Sequence, residues 1–434
     1  MLRRDFVRMA GAAGVALTAG IGFGRPARAA KSIRFATPEA DPSQIKSWEK
    51  IFGDFTKAAS IEVKPEFAKW DDLSRKLAAD IVAGEPPEVV AGSSKPGFVA
   101  DAAKRGLVID LASVVDELGR DDFSASALGA WQFKGMQMAV PYGQQWPVLW
   151  CRTDLFAEAG VEIPETWDDY KAACEKLHNP DKGIYAAVFP AGRTWNTHIQ
   201  SLSHIWSAGG LLFDEKLDVA LDSPETVKAI RYYAEMVKRF SPPDAANYGF
   251  REAAAAYTTG RSATTLYWGR VLSHLYRDKK ELLKVSKTVH IPRDKVHRTS
   301  LHFDELYVHK SKNQDMGRQL VKFMLGGDQM FRLMTPVIGH VVPTRTSVVP
   351  RLQEHDWIRT NPDIVTALIA PNDAAVSALK ESPAHPFNYK YDAVVSKNIL
   401  PDMVQKVVVG GDTVESAVSW AHKEAVDATK DISG

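Results

Sequence analysis

Cysteine is scarce in this chain of 434 residues, which holds only Cys151 and Cys174. Two thiols cannot build a Cys-rich zinc or redox centre or a disulfide scaffold; an oxidising compartment would permit one disulfide between them, and separate buried thiols are expected. Charge of one sign is lacking too, with 54 Lys and Arg against 53 Asp and Glu. A net +1 provides no basic field for nucleic acid, and no nucleic-acid partner is expected. The P-loop, the His-Glu-x-x-His pair, the Gly-x-Ser-x-Gly elbow and the dinucleotide fingerprint are all missing, which argues against an enzyme. Twelve histidines are scattered, and His198 and His204 are too far apart in sequence to share a helical face. No metal or cofactor is expected. What is present is ordinary globular composition, 45% hydrophobic and 25% charged. That supports a sizeable core, and the length calls for two lobes.

The first 29 residues read as an address. Arg3, Arg4 and Arg8 precede an uncharged Ala/Gly-rich stretch, Met9–Gly24, and Ala27-Arg28-Ala29 offers small residues for a signal peptidase. The stretch is too short and too weakly apolar to span a membrane. Arg3-Arg4-Asp5-Phe6-Val7-Arg8 is similar to the twin-arginine export motif, with Leu2 where Ser or Thr is usual. No cysteine lies at the cut, so a soluble periplasmic protein without a lipid anchor is expected. Five of the basic residues and one of the acidic ones lie in this segment. The remaining chain is therefore mildly acidic, with a net charge of −3.

Lys31–Thr37 alternates polar and apolar residues, Ile45 to Ala59 recur at helical spacing, and 61–67 alternates again. Trp70, Leu73, Leu77 and Ile81 mark a second helix, followed by a short strand at 88–91. Strand, helix, strand, helix, strand is the grammar of an α/β sheet covered on both faces. Ligands of such sheets sit at the carboxyl ends of the strands, so the loops Pro38–Gln44 and Gly92-Ser93-Ser94 matter most. Further on, Thr166 reads as a helix N-cap, Ser223-Pro-Glu225 opens a helix through Phe240, and a strand covers 301–308.

Several pieces occur in a telling order: Trp48-Glu-Lys-Ile-Phe, Lys69-Trp-Asp-Asp-Leu73, Gly84-Glu-Pro-Pro-Glu-Val-Val90, Ala139-Val-Pro-Tyr-Gly143, Arg152-Thr-Asp-Leu-Phe156, Pro164-Glu-Thr-Trp-Asp168 and Trp206-Ser-Ala-Gly-Gly210. In this order the chain resembles the bacterial extracellular solute-binding proteins of the maltose-binding type. The resemblance implies a two-lobed periplasmic-binding-protein fold of type II, closing on its ligand as a hinged trap. It places one lobe at 30–149 and 300–342 and the other at 150–299 and 343–434. It implies capture of a sugar or oligosaccharide, delivery to the permease of an ABC transporter, monomeric action and no catalysis.

Sugars are held by aromatic faces against C–H faces, and by amides, carboxylates and Arg against hydroxyls. Trp268, in Tyr267-Trp268-Gly269-Arg270, takes the place of the family's ligand-stacking Trp, although Leu266-Tyr267 replaces the usual Gly-Pro. Trp195, in the loop Gly192–Asn196, is either a second platform or core. Tyr142, Gln144, Gln145 and Trp146 lie at the first crossing between lobes, where cleft lining and hinge packing compete. Glu39, Asp41, Ser93 and Ser94 sit in the strand-end loops, where a solvated loop is the alternative. Asp304 and Glu305 replace the small residues usual before the last crossing, and two cleft carboxylates need partners. Arg270 or Arg345 could supply one, Arg345 equally as a structural brace. Arg193, Arg270 and Arg345 also leave open a glycerol-phosphate ester or another anionic polyol as ligand. A third reading, an exported glycan-active enzyme using Asp304 and Glu305, suffers from adjacent strand residues pointing to opposite faces.

Overall fold

The computed structural model describes residues 31–432, apart from 40, 69, 93–95, 338, 370–374, 380, 382–384 and 386. The proposed export segment and the candidates Ser93 and Ser94 therefore lie outside the described residues.

The chain builds its first sheet as the alternation foretold. Strands Lys31–Thr37, Ile61–Phe67 and Val89–Ala91 run parallel, with Ile33 opposite Val63 and Phe35 opposite Val89. Helices Pro42–Ala59 and Trp70–Val82 make the two crossovers. The first helix starts sharply because Asp41 caps it, accepting from the amides of Ser43 and Gln44, and Pro42 follows with its φ already fixed. It buries Trp48, Ile51, Phe52 and Phe55. Trp48 lies edge-on to Phe35 with ring centroids 5.0 Å apart, so this tryptophan is core.

Three later strands complete a six-stranded mixed sheet, in the order 342–343, 140–145, 302–308, 89–91, 31–37, 61–67. Strand His302–Val308 runs antiparallel to Val89–Ala91, with Leu306 opposite Ala91. Its first residues, 302–305, therefore project past the carboxyl ends of the parallel strands. Strand Val140–Gln145 pairs with them, His302 opposite Gln145 and Asp304 opposite Gly143. The register then shifts so that Glu305 faces Pro141, leaving Tyr142 as an extra residue in a bulge. One edge thus gathers the loop after Thr37, Gly92, Tyr142–Gln145 and His302–Glu305.

Two residues later the chain enters a second sheet. Val148–Arg152 is its central strand, flanked antiparallel by Thr264–Tyr267 and Ser286–Val289. Helix Trp195–Ala208 is buried on every side from Asn196 onward and packs against helices Pro224–Phe240 and Ile399–Val408. Trp195 is thus the first residue of a helix rather than part of a loop. Thr166 caps helix Trp167–Leu177 in a full capping box with Asp169. Cys151 and Cys174 are free, buried thiols.

Beyond strand Val342–Pro343 the chain stays in contact with elements beside the first sheet. Thr346 and Ser347 bond to Asp122, and Arg351 pairs with Asp328. These contacts hold 344–351 against the first lobe, since the helix carrying Asp328 is tied to helix Pro42–Ala59 through Asp54–Arg332 at 2.9 Å.

Candidate functional site

The carboxylates come first, because the strand-end geometry fixes them. Glu39 Oε1 accepts from the amide of Asp41 at 2.7 Å, and Asp41 Oδ1 accepts from the amide of Ser43 at 2.9 Å. Each carboxylate thus has one oxygen committed to backbone. The other oxygen of each faces Arg270, with Glu39 Oε2 and Asp41 Oδ2 both 3.8 Å from its guanidinium. Arg270 opens the helix that follows the second-lobe strand Thr264–Tyr267, so these ion pairs cross from one lobe to the other. Beside them Gly269 meets Gly339: a Cβ on Gly269 would lie 1.6 Å from the Gly339 carbonyl oxygen. Gly339 belongs to the turn leading from helix Gly327–Met334 into strand Val342–Pro343. The lobes meet here backbone to backbone.

Asp304 stands next to this clasp and accepts from Gln145 Nε2 at 3.2 Å. Burial pushes its carboxyl up to about 7, the charge of Glu39 adds to the rise, and Arg270 and Gln145 hold it back. Glu305 is fully buried on the other side of the strand, and its carbonyl accepts from Gly92. Opposite faces and unequal exposure are poor geometry for an acid–base pair. Tyr142 is buried within reach of the charges of Asp304, Glu305 and Glu39, and burial and these charges raise its phenol well above the ordinary range. Gln144 is half-buried and pairs with both Phe303 and Val342.

The aromatic side comes from the second lobe. Trp268 is buried among Phe250, Tyr267 and His302, with centroids at 5.2, 5.7 and 6.2 Å. Trp195 stacks on His198 at 5.2 Å and 10°, and meets His302 edge-on at 5.6 Å. His302 therefore bridges the two indoles. Burial pushes its imidazole down to about 4, and Ser300 Oγ lies 2.8 Å from Nε2. The one sequence signal for His302 is its place two residues before Asp304, on the same face of the strand. A small cavity of about 20 Å³ lies beside it, lined by Trp131, Trp195, Leu379 and Tyr391 among others.

Two candidates are corrected. Arg345 does not answer Asp304 or Glu305. Its Nε donates to Asp122 at 2.8 Å, and its other nitrogens donate to the carbonyls of Leu325 and Leu118. All its directions are used, so it is a brace of the first lobe. Trp146 is buried, and its indole N–H donates to the Ala367 carbonyl at 2.9 Å, which makes it hinge packing. Arg193 pairs with Asp402 at 2.5 Å on the second-lobe surface. Among the described residues no group of three His, Cys, Asp or Glu could hold a metal ion, and no helix is long and apolar enough to cross a membrane.

With this geometry in place, the comparison with known proteins is direct. The family described as "Bacterial extracellular solute-binding protein" matches residues 41–330, more than half of the chain. The chain belongs to this family. Its relatives include the mannitol-binding protein of Pseudomonas aeruginosa, 27% identical over 162 residues, a match spanning 37% of each chain. The putative ABC transporter periplasmic-binding protein YcjN of Escherichia coli is 22% identical over 417 residues, 91% of each chain. A solute-binding protein of an ABC transporter from Thermotoga lettingae, solved with α-D-tagatose, superposes with a TM-score of 0.77 at 18% identity. That superposition covers 92% of this chain and 100% of the other, and it shows the two-lobed fold. Family members are binding proteins.

Proposed function

We propose that this solute-binding protein captures a neutral polyhydroxylated ligand, a sugar or sugar alcohol, and presents it to the permease of an ABC transporter. The observation that carries the reading is that Trp195 and Trp268 both reach His302, whose strand edge also holds Asp304, Gln144 and Gln145 beside the Arg270-facing pair Glu39 and Asp41. Indole faces take the C–H side of a carbohydrate, and carboxylates and amides take its hydroxyls in pairs. A ligand touching both lobes stabilises the closed arrangement by its differential affinity for it. The names of the mannitol-binding relative and of the tagatose-bound neighbour support this class.

An anionic polyol fits less well. Arg193 and Arg345 are committed to Asp402 and Asp122, and Arg270 already faces two carboxylates. The protein works outside the cytoplasm after loss of residues 1–29, free of a lipid anchor, and transforms nothing it binds. One lobe comprises 30–149 with 300–342 and the segment that stays attached to it through residue 351. The other comprises 150–299 and the rest.

A thermal-shift panel of hexoses, hexitols, disaccharides and glycerophosphodiesters tests this. At least one neutral carbohydrate or polyol should raise the melting temperature by several degrees, and the phosphodiesters should not. A shift given by the phosphodiesters alone would replace the reading.

A further inference from the structure

The imidazole of His302 lies between the two indoles. Its ring is 5.6 Å from that of Trp195 and 6.2 Å from that of Trp268, so it fills the interval between the two indole platforms. It is not free to swing aside. Ser300 Oγ holds Nε2 at 2.8 Å, and the backbone is fixed opposite Gln145 in the sheet. One face of Trp195 is covered by His198, stacked at 10°, and His302 meets the indole edge-on at 69°.

Behind the imidazole the structure retains only about 20 Å³ of cavity, room for a single water. Burial keeps the imidazole neutral at physiological pH, since its pKa falls to about 4. It acts there as a rigid filler of aromatic shape.

We propose that His302 limits the site to a ligand of one sugar unit, a monosaccharide or a single hexitol, by occupying the stacking position of a second ring between Trp195 and Trp268. The inference rests on the carbohydrate reading of the same site and narrows it. Removing the imidazole joins its volume to the cavity lined by Trp131, Leu379 and Tyr391, opening a second position along the same aromatic run.

The test is titration calorimetry of the wild type and three variants against D-mannitol, D-tagatose, D-glucose, maltose, trehalose and sucrose. His302→Ala and His302→Asn shrink the side chain, and Asn keeps a polar group near Ser300. His302→Phe keeps the ring. The wild type should bind a one-unit ligand at least a hundredfold more tightly than any disaccharide. At least one shrunken variant should bind a disaccharide tenfold or more tighter than the wild type does, and His302→Phe should not. A wild type that binds a disaccharide within tenfold of its best one-unit ligand overturns the proposal. So does a shrunken variant that still binds the one-unit ligand and gains nothing. Should the Ala variant fail to fold, the Asn variant decides. A wild type that binds none of the six while a phosphodiester binds is a different failure, that of the carbohydrate reading itself, and overturns both.

Discussion

The clasp between Arg270 and the pair Glu39 and Asp41 offers the most direct perturbation of closure. Each carboxylate lies 3.8 Å from the guanidinium, too far for a hydrogen bond. The interaction is therefore Coulombic, about 4 kcal/mol per pair before desolvation, at the effective dielectric of about 20 suited to partly buried groups. The three side chains are 28%, 15% and 12% exposed, so desolvation removes most of that gain. Arg270→Gln should leave a deficit of about 1.4–2.8 kcal/mol in the closed arrangement, which is ten- to a hundredfold in ligand affinity. Stability of the separate lobes should change little, because the contact joins them and props neither. The assay is calorimetric titration of the ligand found by thermal shift, run as a double-mutant cycle with Glu39→Gln. The cycle should return a coupling of at least 0.5 kcal/mol, the range for residues in contact. An unchanged dissociation constant together with zero coupling would refute the clasp.

Other outcomes follow from neighbouring residues. Gly269→Ala, whose Cβ would strike the Gly339 carbonyl, should weaken ligand binding at least tenfold while far-ultraviolet circular dichroism stays native; unaltered affinity would show that the lobes need not meet there. Arg345→Ala takes the guanidinium from Asp122, which keeps Thr346 and Ser347 as donors, and leaves the carbonyls of Leu118 and Leu325 without one. It should cost about 1–3 kcal/mol in urea unfolding and leave affinity intact; a selective loss of affinity would return Arg345 to the site. Asp304 holds its proton more tightly folded than unfolded, with a pKa raised to about 7. Its contribution to stability is complete below pH 4 and lost as the pH rises through 7. The decline in melting temperature over that interval should be shallower in Asp304→Asn, and parallel curves would contradict the assignment. Trp195→Ala should weaken binding tenfold or more by the same titration, and an intact affinity would make this indole core.

The first sheet was legible because its strands alternate and its helix carries Trp48, Phe52 and Phe55 at regular spacing, which are local signals. Glu39 and Asp41 stood out as strand-end loop residues, Tyr142 and Gln145 by their place at the first crossing and Asp304 before the last, and the structure gathers them with Arg270 at one edge. The full burial of helix Trp195–Ala208 was not legible. Trp195, Ile199, Leu202 and Trp206 form an apolar stripe, but the burial of its His, Ser, Gln, Asn and Thr is a tertiary fact with no local signal. Arg345 was misplaced because a guanidinium's partner is a tertiary fact: Asp122 lies 223 residues away in sequence. His302 was hidden for a related reason. Nothing local reveals that Trp195 and Trp268, from separate segments, converge on one imidazole.

Native mass spectrometry of the freshly purified protein tests the central claim most directly, because tight solute-binding proteins carry ligand through purification. The expected result is a released species with the mass of one neutral sugar or sugar alcohol, lost when the protein is unfolded and refolded. A released phosphate ester or amine, with no carbohydrate able to restore the bound mass, would contradict it.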